Sequence, residues 1–375
     1  MIPLNNNLLR LKRSGIRRFT NLAKTVPGCV MLTLGEPDFD TPQEIKAAAL
    51  TSLFQNRTHY APNQGTEDLR HEIAAFETIR GLPCEASQVL VTAGATEALY
   101  TAITGILNPG DEVIIPTPAF VLYESIVIAA GGVPVFLDTK PDGFQITAEA
   151  LKRVMTEKTK AILLNSPNNP TGTVLTEDSL SAVKAAVLGK PVFVICDNVY
   201  QALCPEKCPD LSLDEELKDQ LLLCQSFSKP YAMTGWRLGW LVGPGEVIEK
   251  LLLLHAALLA SVPTFLQDAG LAALSVSTKE MAEIYSRRRG FVCKRLTEMG
   301  LSFPEPKGAF YVFPDISRFG LSDEDFCTRL ITDGGVATVP GSCFGTSGHI
   351  RISYCCSDKA LEEGMNRLEK FIKTL

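Results

Sequence analysis

Between residues 89 and 242 the chain alternates short, almost continuously apolar runs with longer stretches of helical periodicity. The runs fall at residues 89–92, 112–116, 133–138, 161–165, 192–197, 221–224 and 237–242, and they are rich in Val, Ile and Leu. A strand that is apolar at successive positions must be covered on both faces, which is the pattern of a mostly parallel sheet. Helical patterns lie between most of the runs, at residues 96–107, 120–130, 147–155 and 177–188. This alternation predicts an α/β layer fold with about seven strands between helices. The texture changes outside that block. Residues 1–44 are short and irregular, and residues 277–375 mix long helical patterns at 279–299 and 358–374 with short strands at 310–313 and 349–353. The expected organisation is a large domain over residues 45–276 and a smaller α+β domain built from residues 1–44 and 277–375, with a site between them.

In open α/β sheets, ligands bind beyond the carboxyl ends of the strands, and here those ends carry chemistry. The first run leads into AGATE at 93–97 and opens a helix whose free N–H groups suit a phosphate. The fourth leads into NSPNNPTG at 165–172, the fifth into Asp197 and Tyr200, and the sixth into Ser226, Ser228 and Lys229. Lys229 and Arg237 both lie in the short crossing between two buried runs. Lysine is almost never fully buried unless something pairs with it or uses it. Either both side chains escape to solvent or an anionic, electrophilic ligand meets them.

Charge and composition remove several alternatives. A net charge of -6 and a pI near 5.4 argue against nucleic acid or an anionic membrane surface as the main partner. The one dense basic run, Arg287 to Arg289, sits in a helical pattern and reads as a solvated face or a salt-bridge stripe. The most apolar stretch, residues 251–260, contains His255 and stops before Pro263, so it reads as a core helix and not a bilayer span. Residues 1–18 are rich in Asn, Arg and Lys without an apolar signal core, and the 11 cysteines are scattered. Together these predict reduced thiols in a cytoplasmic protein. Cys204 with Cys208, and Cys355 with Cys356, come nearest to metal-ligand spacing, yet neither has a second pair to complete a tetrahedral site, so no metal is expected. No Gly-x-Gly-x-x-Gly follows the first run and no Gly-x-Ser-x-Gly occurs, against a dinucleotide-dependent dehydrogenase and an α/β-hydrolase. Only about 30 residues precede Gly35, too few for a helix-turn-helix module with its own core.

Six phrases in order then carry a resemblance: GEPDFDTP at 35–42, YAPNQG at 60–65, NSPNNPTG at 165–172, SFSK at 226–229, MTGWR at 233–237 and IRIS at 350–353. Starting from SGIR at 14–17, the chain resembles the class I/II pyridoxal-phosphate aminotransferases of fold type I over nearly its whole length. Within them it is most similar to bacterial aminotransferase A and to the aspartate, aromatic and N-acetyl-diaminopimelate aminotransferases.

The resemblance implies a pyridoxal 5'-phosphate cofactor, a homodimer, and an amino acid and a 2-oxo acid as substrates. It assigns the cofactor's aldehyde to Lys229, and its phosphate to Arg237, Ser226, Ser228, Ala95 and Thr96. The aldehyde and the phosphate arm sit on adjacent ring positions, so one local segment can serve both. Asp197 matches the carboxylate on the ring nitrogen, Asn169 and Tyr200 the groups flanking the phenolic oxygen, and Phe120 the aromatic against the ring face. Tyr60 matches a residue that reaches the phosphate of the neighbouring subunit. Arg351 matches the fork for the substrate α-carboxylate, flanked by Asn169 and Gly35, with Ile16 near the substrate side chain. Two positions depart from the common pattern: Ala95 stands where Gly or Ser is frequent, and Asn198 follows Asp197 where an acid is frequent. A cysteine-conjugate β-lyase would use the same Lys229, Asp197 and Arg351. None of the four histidines falls in a catalytic motif.

Overall fold

The computed structural model describes residues 2–12, 14–204 and 206–375. In chain order the strands are β1 (Val30–Met31), β2 (Val89–Thr92), β3 (Glu112–Thr117), β4 (Val133–Asp138), β5 (Thr159–Asn165) and β6 (Phe193–Asp197). They continue as β7 (Leu221–Ser226), β8 (Gly239–Val242), β9 (Tyr311–Val312), β10 (Val336–Ala337), β11 (Val339–Pro340) and β12 (Ile350–Ser353). Seven of them form one sheet in the order β2-β8-β7-β6-β5-β3-β4. Only β8 runs against its neighbours, so the sheet is mostly parallel, as the unbroken apolar runs require.

Successive residues of each strand feed opposite layers. Val91, Ile114, Val194 and Leu223 pack on one side with Phe227 and Trp240. Leu90, Val113, Ile195 and Leu222 pack on the other with Leu99, Ile103 and Tyr123. Full burial of an aliphatic side chain of this size stabilises the fold by about 1.5–3 kcal/mol. The edge strand β4 departs from expectation: Val133 is 40% and Phe136 48% exposed, because β3 covers only one of its sides.

A separate core joins both chain ends. Phe19, Ala23 and Leu32 pack with Tyr285, Phe310, Phe326, Leu330, Met365 and Phe371, around the helices Lys279–Glu298, Asp323–Thr332 and Asp358–Ile372 and the three-stranded sheet β11-β12-β9. Arg288, in the basic run, is buried, pairing with both Asp38 and Asp358. It therefore ties the amino-terminal loop to the carboxyl-terminal helix. Among the described residues no helix is long and apolar enough to cross a membrane.

The sheet register prepares the site. Asn165 lies opposite Asp197, Asp197 opposite Cys224, and Ser226 and Thr92 both opposite Gly239. The carboxyl ends of β2, β5, β6 and β7 thus form one row of functional positions. Gly239 is required there, since a Cβ would come within 2.5 Å of the Gln225 carbonyl. The sequence expectation placed Arg237 inside this last strand. Instead β8 starts at Gly239, and Arg237 takes a left-handed conformation (φ 55) that turns its side chain toward Gly94.

Candidate active site

A cavity of about 290 Å³ opens at the carboxyl ends of β2, β5, β6 and β7, closed on the other side by residues of the second core. Ile16, Gly35, Ala95, Thr96, Phe120, Asn169, Asp197, Tyr200, Ser226, Ser228, Lys229, Arg237 and Arg351 all line it. Tyr60 does not; its side chain is 91% exposed on its own chain.

Lys229 follows the end of β7 in a turn, and its Nζ donates to the Gly35 carbonyl at 2.7 Å. Burial disfavours its charged form and pulls its pKa down to about 8, so a neutral amine is accessible near physiological pH. Asp197 ends β6 and is 4% exposed. Its Oδ2 accepts the Tyr123 hydroxyl at 2.5 Å, and Oδ1 has no partner. Burial pushes this carboxyl up to about 6, against the opposing pull of Tyr123, the Val199 N–H and Lys229. The unpartnered oxygen is buried and asks for a cationic donor.

The opposite wall holds Arg351, on β12 and 2% exposed. Its Nη1 donates to Asn169 Oδ1 at 2.9 Å and its Nη2 to the Thr33 carbonyl at 2.6 Å. The guanidinium lies 4.5 Å from the Tyr311 ring centroid and 5.0 Å from that of Phe344. Its Nε has no partner, and among the described residues no carboxylate pairs with it. A buried cation without a counterion is expensive and suits an anionic ligand. The Gly35 carbonyl faces Lys229, and the Thr33 carbonyl lies at the guanidinium.

A second anion-binding corner lies at the end of β2. Gly94 (φ 81) starts the helix Ala95–Ile106, and the first N–H groups of a helix have no intrahelical acceptor. Arg237 reaches the same corner, donating to the Thr234 carbonyl at 3.1 Å, and no carboxylate pairs with it among the described residues. A Cβ at Gly94 would stand 2.8 Å from an Arg237 Nη. Ser226 donates to Ser228 at 2.8 Å. Arginine, hydroxyls and helix N–H groups together match a phosphate. The donor set therefore fits a compact ring carrying a phosphate at one end and a protonated nitrogen at the other.

Sequence reasoning missed several members. Tyr123 holds Asp197. Asn165 donates to the Asp197 carbonyl at 2.9 Å. The Tyr311 hydroxyl lies 3.1 Å from that of Tyr200, and burial pushes the Tyr311 phenol up to about 12. Tyr123 sits within an apolar helix pattern and Tyr311 in a short strand, so neither carried a signal apart from core packing.

Comparison with known proteins agrees with this geometry. The family profile of aminotransferase class I and II matches residues 27–368. A probable N-acetyl-LL-diaminopimelate aminotransferase of Bacillus subtilis is 38% identical, over 98% of this chain and 95% of that one. Aromatic-amino-acid aminotransferase 2 of Thermococcus litoralis is 37% identical over 99% of each. The solved structure of the Thermus thermophilus aspartate aminotransferase with maleate superposes with a TM-score of 0.93 at 35% identity, covering 99% of this chain and 100% of that one.

Proposed function

The chain belongs to the class I and II aminotransferases, and we propose that it binds pyridoxal 5'-phosphate in the cavity and moves the amino group of an L-α-amino acid to a 2-oxo acid. The observation that carries this reading is the pairing of unmet charges across one cavity: Asp197 with a buried, unpartnered oxygen, and Arg351 buried without a counterion. A cofactor nitrogen satisfies the first and a substrate carboxylate the second.

When bound, the cofactor supplies an aldehyde that condenses with amines and a ring that accepts the electron pair left at the substrate α carbon. Everything else falls to the protein. Arg237, Ser226, Ser228, Thr96 and the N–H of Ala95 hold the phosphate. Asp197, oriented by Tyr123, keeps a proton on the ring nitrogen. Asn169 and Tyr200 would hold the phenolic oxygen, and Phe120 would pack against the ring. Arg351 holds the α-carboxylate as a fork. Lys229 would hold the cofactor's aldehyde between turnovers and, freed as a neutral amine, would take the proton from the substrate α carbon as general base and give it back as general acid. The reaction runs in two halves, one per substrate.

Residues 45–276 serve as the cofactor-binding domain and residues 1–44 with 277–375 as the smaller domain, supported by the way Arg351, Thr33 and Gly35 face Asp197 and Lys229 across the cavity. The active unit is a homodimer in which Tyr60, exposed on its own chain, reaches the partner's phosphate corner. The unpaired cysteines support a cytoplasmic location.

Aspartate or glutamate, aromatic amino acids and N-acetyl-LL-diaminopimelate, with 2-oxoglutarate as acceptor, are the candidate substrates, following the names of the relatives. Among the described residues, the cavity walls at Ile16 and Leu34 are apolar and the cations that line it are Lys229, Arg237 and Arg351. Screening the purified holoprotein for 2-oxo acid formation against a panel of donors and acceptors tests the proposal. Formation of pyruvate and ammonia from a thioether amino acid, without an acceptor, would identify a β-lyase instead.

A further inference from the structure

Cys204 and Cys208 lie outside every role assigned above, and their sulfurs approach to 2.7 Å. That is closer than two thiols come in ordinary van der Waals contact. Among the described residues no other two cysteines share such a contact. Both are partly exposed, and Cys204 lines a separate open groove of about 670 Å³ on the protein surface, together with Tyr231, Lys279 and Arg287. A small oxidant therefore has access.

The surroundings favour oxidation over metal binding. No group of three or more His, Cys, Asp or Glu able to hold a metal occurs among the described residues, so two thiols stand alone. Contact with Cys204 pulls the Cys208 thiol down, with help from Arg289, whereas the same contact and burial push Cys204 up. The pair is polarised: Cys208 gives up its proton more readily than Cys204.

We propose that Cys204 and Cys208 form a redox-modification site, a dithiol that a peroxide converts to a reversible intramolecular disulfide. The Cys208 thiolate attacks one peroxide oxygen and the O–O bond breaks. Cys208 becomes a sulfenic acid, and the leaving hydroxide takes up a proton to give water. The Cys204 sulfur then attacks the Cys208 sulfur, the S–S bond forms, and the sulfenic oxygen leaves with a proton from Cys204 as a second water. Two thiols and one hydrogen peroxide give one disulfide and two waters. A thiol reductant reverses the step. Such disulfides in a reducing compartment are transient and serve as sensors.

The site lies directly behind the substrate cavity. Cys204 follows the turn Gln201–Leu203, which begins next to Tyr200. Its sulfur packs against Gly308, where a Cβ would come within 2.7 Å of it. The strand that follows Gly308 carries Tyr311, bonded to Tyr200 and beneath Arg351.

Peptide mapping of the holoprotein after treatment with a single equivalent of hydrogen peroxide, followed by alkylation and trypsin, tests the inference. Lys207 lies between the two cysteines, so trypsin separates them unless they are joined. The expected product is a cross-linked peptide pair, lighter by two hydrogens than its parts, that dithiothreitol releases. It should form before any other cysteine reacts. In Cys208→Ser the cross-link should vanish and Cys204 should remain alkylatable at the same dose. Recovery of both peptides fully alkylated while other cysteines oxidise would overturn the proposal. So would Cys204 joined to a cysteine other than Cys208.

Discussion

Replacing Asp197 with alanine probes the step on which catalysis most depends. Burial raises this carboxyl from 3.8 to about 6, a shift of about two pK units and hence about 3 kcal/mol lost to its ionised form. A protonated ring nitrogen of the proposed cofactor would recover that loss at the partnerless Oδ1. The coupling is mutual: the carboxylate raises the proton affinity of the nitrogen by as much as the protonated nitrogen lowers that of the carboxylate. Asp197→Ala removes it, and the neutral ring accepts charge poorly. The expected loss in α-proton removal is about a hundredfold, or up to about a thousandfold if preorganised charge stabilisation is fully removed. Cofactor binding should survive, since Lys229 and the phosphate ligands remain. Asp197→Glu should keep far more activity. The assay is a single-turnover half-reaction with an α-deuterated amino acid, in which the variant should be slow and show a clear isotope effect. A rate equal to wild type would make Asp197 a structural residue and refute the electron-sink assignment.

Three further outcomes follow from particular contacts. Lys229 has a folded-state pKa of about 8 against 10.5 unfolded, so the unfolded chain binds more protons between those values and stability of the cofactor-free protein should rise with pH across that window. Lys229→Met removes the buried charge and should stabilise the cofactor-free protein at pH 7 by at most about 3 kcal/mol in urea unfolding, with this advantage fading from about pH 8 upward and gone by about pH 10.5. Arg351→Lys loses the fork to Asn169 and Thr33 and should lower kcat/KM by about 30- to 150-fold, mainly through KM, in steady-state assays. Lys229→Ala and Tyr60→Ala, each inactive alone, should regain about a quarter of wild-type turnover when mixed, because half the dimers are hybrids with one intact site; absence of recovery in verified hybrid dimers would remove Tyr60 from the partner's site.

The large sheet was legible because doubly buried strands leave no choice of residue: β2 and β4 were located to the residue, and β3 to within one. The strand that begins at Gly239 was overextended because Arg237, at the boundary of an apolar run, gave no sign of its left-handed turn. The strands β1, β10 and β11 were missed; at two residues each they have no periodicity to detect. The site residues that sit in contiguous motifs were identified from the sequence and share one cavity. Tyr123 and Tyr311 were not, because their partners Asp197 and Tyr200 are 74 and 111 residues away. A hydroxyl that works only through such a contact looks, in sequence, like any core tyrosine. Tyr60 shows the converse: its motif was readable, yet a single chain leaves its side chain in solvent.

Lys229 is the residue proposed to carry the cofactor. Sodium borohydride reduction of the purified holoprotein, followed by digestion and mass mapping, tests this directly. The predicted result is loss of the yellow colour and a phosphopyridoxyl group fixed on the peptide containing Lys229, absent from Lys229→Ala. Recovery of the group on a different lysine, or no fixed cofactor from a fully loaded protein, would contradict it.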